Sequence, residues 1–366
     1  MASTSEAPAA GTGPDGTAGL HDHGDRQVPP GATDLAVNVW PGPPAWLVDE
    51  LAALDLAGYP DTSAARAVAA GRHGLSPEQC LLTNGAAEAF WALAHALRPR
   101  RAACVHPSFT APEAALRSTG TEVRRVLRRA RDDFALDPAH VPEDADLLVL
   151  GRPDNPTGRL EPVEVVRALT RPGRVVVVDE AFAEFLPDAT GVAGADLPGV
   201  LSVRSLTKVW GLAGLRVGYL TGAADLVARV AGALQPWPVS TPAAHAVARL
   251  CHPDAEPERA VRAARVQDAR EALLARLRET GLTAPEAGPA SDGAPLSVWP
   301  SPANYVLLRG PLPDLRERLL EHGLAARRCT TFPGLDGRYV RVAVPLQEAV
   351  RERLVSALRE LLPGQR

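Results

Sequence analysis

A chain of 366 residues with 39 basic and 43 acidic side chains is long enough for two sizeable cores, and its net charge of −4 leaves no footprint for nucleic acid or an anionic membrane. No apolar run approaches membrane-spanning length, and the segment 1–30 has no apolar core of a signal peptide, so a cytoplasmic location is expected. Four cysteines (Cys80, Cys104, Cys251, Cys329) lie far apart, with no CxxC pair and no Cys/His cluster at metal-ligand spacing, which fits reduced thiols and no metal.

Residues 1–30, rich in Ala, Gly, Pro and Asp, have the composition of a disordered tail, broken by His21-Asp22-His23-Gly24-Asp25. Pro41-Gly42-Pro43-Pro44 predicts a turn before a helix over about 46–56. Thr83-Asn84-Gly85-Ala86-Ala87-Glu88 ends a strand and opens a helix that runs to about 97. Apolar runs at 102–105, 147–150, 175–178, 201–203 and 217–220 predict buried strands of a mainly parallel sheet. The basic stretch 124–131 reads as a solvated face.

Beyond a Pro-rich turn (Pro236, Pro238, Pro242), an Arg/Glu/Ala-rich helix over about 256–280 reads as a connector, and 285–301 as a loop. Strand 304–308, helix 313–321, strand 339–344 and helix 346–361 then make a small α+β unit. The expected fold class is α/β. A large domain over 58–239 carries the mainly parallel sheet, and 31–57 with 240–366 form the smaller domain.

Positive charge is carried by arginine throughout, with one exception. Lys208 lies in Ser205-Leu206-Thr207-Lys208-Val209-Trp210-Gly211-Leu212-Ala213-Gly214-Leu215-Arg216. A guanidinium pairs with anions at least as well as an ammonium, but it stays protonated. A lone lysine therefore points to chemistry that needs an amine able to lose a proton and attack a carbonyl. Free lysine, with a pKa of about 10.4, is uncharged roughly once in a few thousand molecules at neutral pH. Burial and a cation such as Arg216 are expected to raise that fraction.

Other segments carry compatible chemistry. Gly85 lets backbone approach a ligand closely, and the free amides of Gly85, Ala86 and Ala87 at a helix start favour a phosphate. Asn155-Pro156-Thr157-Gly158 is a turn whose asparagine can bond a ligand hydroxyl. Asp179 follows the run Val175-Val176-Val177-Val178, and a carboxylate there needs a cationic partner, either an arginine or a protonated heterocycle nitrogen. Ser205 and Thr207 offer hydroxyls, Arg216 a phosphate fork, and Phe109 an aromatic face at a strand exit.

In this order the segments resemble the fold-type I pyridoxal-phosphate enzymes, the class I/II aminotransferase family, and within it the branch of histidinol-phosphate aminotransferase and threonine-phosphate decarboxylase. The resemblance runs from about Asn38 to Val344. Its most specific part is S-L-T-K-x-x-G-L-A-G-L-R, supported by N-P-T-G and D-E-A-F.

The resemblance implies the PLP-dependent transferase fold and pyridoxal 5′-phosphate as cofactor. It implies that Lys208 binds the cofactor aldehyde, Asp179 keeps the ring nitrogen protonated, Asn155 meets the ring hydroxyl, and Phe109 stacks on the ring. Ser205, Thr207, Arg216 and the amides of Gly85 to Ala87 match the phosphate cup. Tyr59, in Tyr59-Pro60-Asp61, matches a tyrosine that reaches the phosphate of a neighbouring subunit, which implies a homodimer. Arg341 matches the clamp on the substrate carboxylate, and Asn38 the edge of the substrate pocket. Arg327, in Arg327-Arg328-Cys329-Thr330-Thr331-Phe332-Pro333-Gly334, matches a position near a substrate phosphate, and His23 a segment that covers the site. Phe182 stands where many relatives have a tyrosine, which leaves the ring hydroxyl to Asn155.

The implied reaction is amino-group transfer on an amino acid or amino-acid phosphate in cobalamin biosynthesis. Loss of carbon dioxide from threonine phosphate is the alternative, and histidinol-phosphate transamination comes third. A cofactor-sensing transcriptional regulator would need a DNA-binding domain, for which the polar residues before Asn38 are too few.

Overall fold

The computed structural model describes residues 20, 28–187, 190–284 and 295–362. The chain enters through a short strand β1 (Thr33–Leu35), then α1 (Ala45–Ala52) and α2 (Ser63–Gly71). It continues into β2 (Cys80–Asn84), α3 (Gly85–Leu97), β3 (Arg101–His106), α4 (Ala111–Ser118) and β4 (Glu122–Leu127). Next come β5 (Leu147–Gly151), α5 (Val163–Leu169), β6 (Val175–Glu180), β7 (Val200–Ser205), β8 (Val217–Thr221) and α6 (Ala224–Ala231).

These strands form one seven-stranded sheet in the order β2-β8-β7-β6-β5-β3-β4, parallel except that β8 runs against both its neighbours. Every residue of β5, β7 and β8 is buried, as expected for strands covered on both faces, and this is why they read as unbroken apolar runs.

The C-terminal third consists of α7 (Thr241–Leu250), α8 (Glu256–Glu279), β9 (Ser297–Pro300), β10 (Tyr305–Arg309), α9 (Leu315–Glu321), β11 (Leu324–Arg328), β12 (Tyr339–Ala343) and α10 (Glu348–Leu361). Here a five-stranded sheet, β1-β11-β12-β10-β9, is antiparallel except for the β1/β11 pair. Its apolar core includes Leu35, Val306, Leu308, Val340 and Val342 from the strands and Leu319, Leu354 and Leu358 from the helices.

The 24-residue α8 has acids in its first turn and arginines in its last, which complements the helix dipole. It serves both sheets. Arg262 donates to the carbonyls of Val209 (3.2 Å) and Gly42 (3.3 Å), while Leu273 and Leu277 enter the core of the smaller sheet.

Three expectations change. The segment 297–300, expected as loop, is strand β9, because Ser297, Val298 and Trp299 turn inward against β10 despite their Pro/Ala/Ser-rich surroundings. The basic stretch 124–131 is not simply a solvated face. Val123 and Val126 are buried in β4, and Arg128 is buried against Asp154. Pro242 does not belong to a turn but sits in the first turn of α7, where a missing N–H costs nothing, after Ser240 accepts a cap bond from Ala243 N (3.3 Å). All four cysteines are free and buried, and among the described residues no cluster could hold a metal and no helix is long and apolar enough to cross a membrane.

Candidate active site

The carboxyl ends of the central strands, the start of α3 and one edge of the smaller sheet enclose a cavity of about 510 Å3. Its floor is the loop after β7. Leu206, Val209 and Trp210 are fully buried in the core, and this pins the intervening Lys208 with its side chain on the cavity wall. The Lys208 carbonyl accepts from Trp40 N (2.8 Å), and its Nζ lies 5.8 Å from the Phe182 ring centre. Gly211 permits the bend, since its φ is +69° and a Cβ there would lie 2.4 Å from the Gly42 backbone.

Asp179 leaves β6 at the same end. Burial pushes its carboxyl up to about 7, with Asp154 and Glu180 adding to the shift while the Ala181 amide (3.0 Å) and Lys208 oppose it. A carboxyl in that state is ready to ionise for any cation brought against it.

The phosphate-type groups gather on the other side. Ser205 Oγ and Thr207 Oγ1 are 2.8 Å apart, and Ala86 and Ala87 bring the start of α3 to the wall. Arg216, in left-handed conformation with φ +57°, lays its guanidinium over Gly85, where a Cβ would come within 2.5 Å of Nη2. Gly85 itself has φ +74°, so glycine is required twice over. Phe109 and Asn155 complete this wall.

The smaller sheet supplies Arg327 and Arg341, register partners on β11 and β12, both buried and both facing the cavity. Arg341 donates to Asn155 Oδ1 and to the Ala36 carbonyl. No described carboxylate pairs with it. Burial, and then the neighbouring Arg327, lower its proton affinity. Arg327 donates to Thr331 Oγ1 (2.9 Å) and stands over Phe332. Asn38 is 4% exposed, and neither polar atom of its side chain has a hydrogen-bond partner among the described residues.

Two expected residues do not line this cavity, of which Tyr59 was expected to serve a neighbouring subunit. Tyr59 is 78% exposed and lies outside the wall, stacked on Trp237 at 4.1 Å. His23 falls outside the described residues. Sequence reasoning also missed some of the wall. Phe332 and Ala181 lie inside motifs that had been singled out, while Val37 and Phe90 carried no signal. The Asp154 carbonyl, next to Asn155, accepts the Tyr305 hydroxyl (2.6 Å), a contact between the two sheets that no local pattern encodes.

An α/β chain with its one side-chain amine on the same cavity wall as a buried carboxyl of raised proton affinity, and with hydroxyls, amides and a guanidinium grouped beyond them, defines a protein built to hold a phosphorylated heterocyclic aldehyde. The chain belongs to the family of class I and II aminotransferases, whose pattern matches residues 32–358 and whose members use pyridoxal 5′-phosphate. It is 44% identical over 346 residues to a histidinol-phosphate aminotransferase of Mycobacterium tuberculosis, covering 92% of this chain and 90% of that one. It is 36% identical over 311 residues to the threonine-phosphate decarboxylase of Salmonella typhimurium, covering 81% and 80%. The fold matches the crystal structure of a histidinol-phosphate aminotransferase from Clostridium acetobutylicum with a TM-score of 0.76 at 23% identity, over 90% of this chain and 98% of that one.

Proposed function

We propose that this enzyme transfers the amino group of a substrate bearing two anionic groups, an amino-acid phosphate, with the cofactor held on Lys208. The observation that carries this reading is the pair Arg327 and Arg341. These are two buried cations side by side on one wall, and Arg341 meets only neutral oxygens. A buried guanidinium that meets only neutral oxygens is costly without a counter-ion, so a substrate carboxylate satisfies Arg341, and Arg327 beside it adds positive charge for a second anion.

The residues fit the cofactor. Bound there, pyridoxal phosphate supplies an electron sink for bonds at the substrate α-carbon. Asp179, ionised against the ring nitrogen, holds that nitrogen's proton. Phe109 faces the ring, and Asn155 meets its hydroxyl. Ser205, Thr207, Arg216 and the amides at the start of α3 receive the phosphate. Lys208 takes the proton from the α-carbon and returns it on the other side of the transfer. Arg341 and Asn38 orient the carboxylate, Arg327 the far anion. We take 58–239 as the cofactor-carrying unit and 31–57 with 240–366 as the unit that brings the anion clamp.

We take the working form to be a cytoplasmic homodimer, with Tyr59, exposed and away from its own cavity, serving the neighbour's phosphate cup.

A second reading is decarboxylation of threonine phosphate, favoured by the R-x-C-x-x-F-P-G stretch that brings Arg327 and Phe332 to the cavity. The choice rests on which bond at the α-carbon stands perpendicular to the ring. Either reading is compatible with a place in cobalamin biosynthesis. Histidinol phosphate has a phosphate but no carboxylate, so in its half of the reaction Arg341 would lack a counter-ion.

The test is incubation with threonine phosphate, with and without 2-oxoglutarate, while following glutamate and carbon dioxide. Glutamate that forms with the acceptor supports transamination. Carbon dioxide released without an acceptor replaces it with decarboxylation.

A further inference from the structure

Arg128 directly follows β4 in an arginine-rich stretch, yet its side chain is 2% exposed. Its Nη2 lies 2.7 Å from Asp154 Oδ2 and donates to the Pro107 carbonyl at 2.7 Å, and its backbone N–H donates to His106 O at 2.7 Å. These contacts reach two loops of the cavity, the one that leaves β3 and the one that holds Asp154. Pro107 precedes the Ser108-Phe109 segment, whose phenylalanine forms one wall, and Asp154 precedes Asn155.

Asp154 is itself fully buried, and its Oδ2 and both backbone polar groups are bonded while Oδ1 has no hydrogen-bond partner among the described residues. Thr157 Oγ1 donates to its Oδ2 (2.7 Å), its N–H donates to Arg159 O (2.8 Å), and its carbonyl accepts from Gly158 N (2.7 Å) and from the Tyr305 hydroxyl (2.6 Å). The smaller sheet therefore grips this loop at two consecutive residues, through Tyr305 at Asp154 and through Arg341 at Asn155. The Arg341 guanidinium also stands over the Tyr305 ring at 5.6 Å.

We infer that Arg128 and Asp154 are positioning residues. Their buried ion pair locks the Phe109 loop to the Asn155 loop, and so fixes the tilt of the bound cofactor ring relative to the Arg341 clamp. Neither side chain lines the cavity, and both act through their neighbours. The Pro107 carbonyl and the Thr157 hydroxyl satisfy the buried ends of the pair, and because each belongs to one of the two loops they also tie both loops to it. The inference rests on pyridoxal phosphate seating in this cavity, and the experiment separates the two.

The test uses full-length enzyme loaded with pyridoxal phosphate, and it reads the visible circular dichroism of the bound cofactor, the melting temperature, and kcat and KM separately. Wild type is expected to give a strong induced visible signal, and its absence would overturn the seating and the inference together. Asp154→Asn, which keeps one amide oxygen able to accept from both Arg128 and Thr157, is expected to retain most of that signal. Asp154→Ala is expected to lose at least half of it and to raise KM several-fold. The double variant Arg128→Met with Asp154→Asn removes the charge without leaving an unpaired ion. Its melting temperature should return toward wild type while the signal and KM stay perturbed. Full recovery of all three readouts in the double variant would mean a purely structural pair and would sink the inference. So would wild-type dichroism in Asp154→Ala. If Asp154→Ala fails to fold, the double variant alone decides.

Discussion

Lys208 and Asp179 form a chemical couple that each needs for a different reason. The amine must be free to lose a proton, and the carboxyl must find a cation. Lys208→Arg keeps the charge and removes that amine chemistry. Borohydride should then fail to fix cofactor covalently to the protein, and turnover should fall by about four orders of magnitude or more.

For Asp179 the sign of the pH effect follows from its raised proton affinity, which lies at about 7 in the folded chain. Between about pH 4 and about pH 7 the unfolded chain has released this proton and the folded chain has not, so cofactor-free protein loses stability as pH rises, by on the order of 4 kcal/mol in all. Denaturant unfolding of cofactor-free wild type and Asp179→Asn across that range should show the slope in the first and not in the second. At the anion clamp, Arg341→Ala should raise KM roughly 10- to 100-fold for substrates with a carboxylate, and Arg327→Ala by a similar factor only for phosphorylated ones.

Motif chemistry made Lys208, Asp179 and Asn155 legible in the sequence. Arg128 was not, because a buried arginine in a basic row looks like its solvated neighbours until its partner, Asp154, is brought from another strand end.

Among the elements, the turn from β2 into α3 is the most constrained. Gly85→Ala places a methyl into the Arg216 guanidinium at a φ of +74°, a conformation that costs an L-residue about 1 kcal/mol or more. Because Arg216 must move, the expected result is a cofactor dissociation constant raised at least several-fold, with a smaller fall in melting temperature. Fluorescence titration with pyridoxal phosphate checks the first and calorimetry the second.

The central strands β5, β6, β7 and β8 were readable because burial on both faces leaves continuous apolar runs. The strands that escaped notice lie at or near sheet edges. β1 is three residues long, β4 sets two arginines between its valines, β9 ends in proline and β11 ends in two arginines, so partners rather than local pattern define them.

At the scale of the whole molecule, the exposed Leu56, Tyr59 and Trp237 form an apolar surface beside the 53–62 segment. If a second copy covers it, sedimentation should report a dimer. Leu56→Asp should then shift the population toward monomer and weaken cofactor binding, as expected if each Tyr59 is to serve the other subunit. A dimer unaffected by Leu56→Asp would place the interface elsewhere.

The sequence alone determined the class of chemistry, the α/β pattern and many of the residues that line the cavity, because these are held within short segments whose spacing is itself the signal. Tertiary structure decided what sits between segments. It set Arg327 beside Arg341, joined Arg128 to Asp154, carried α8 across both sheets and turned Tyr59 away from its own cavity. Those relations depend on long-range packing and on the cost of burying charge, and neither has a period that can be read along the chain.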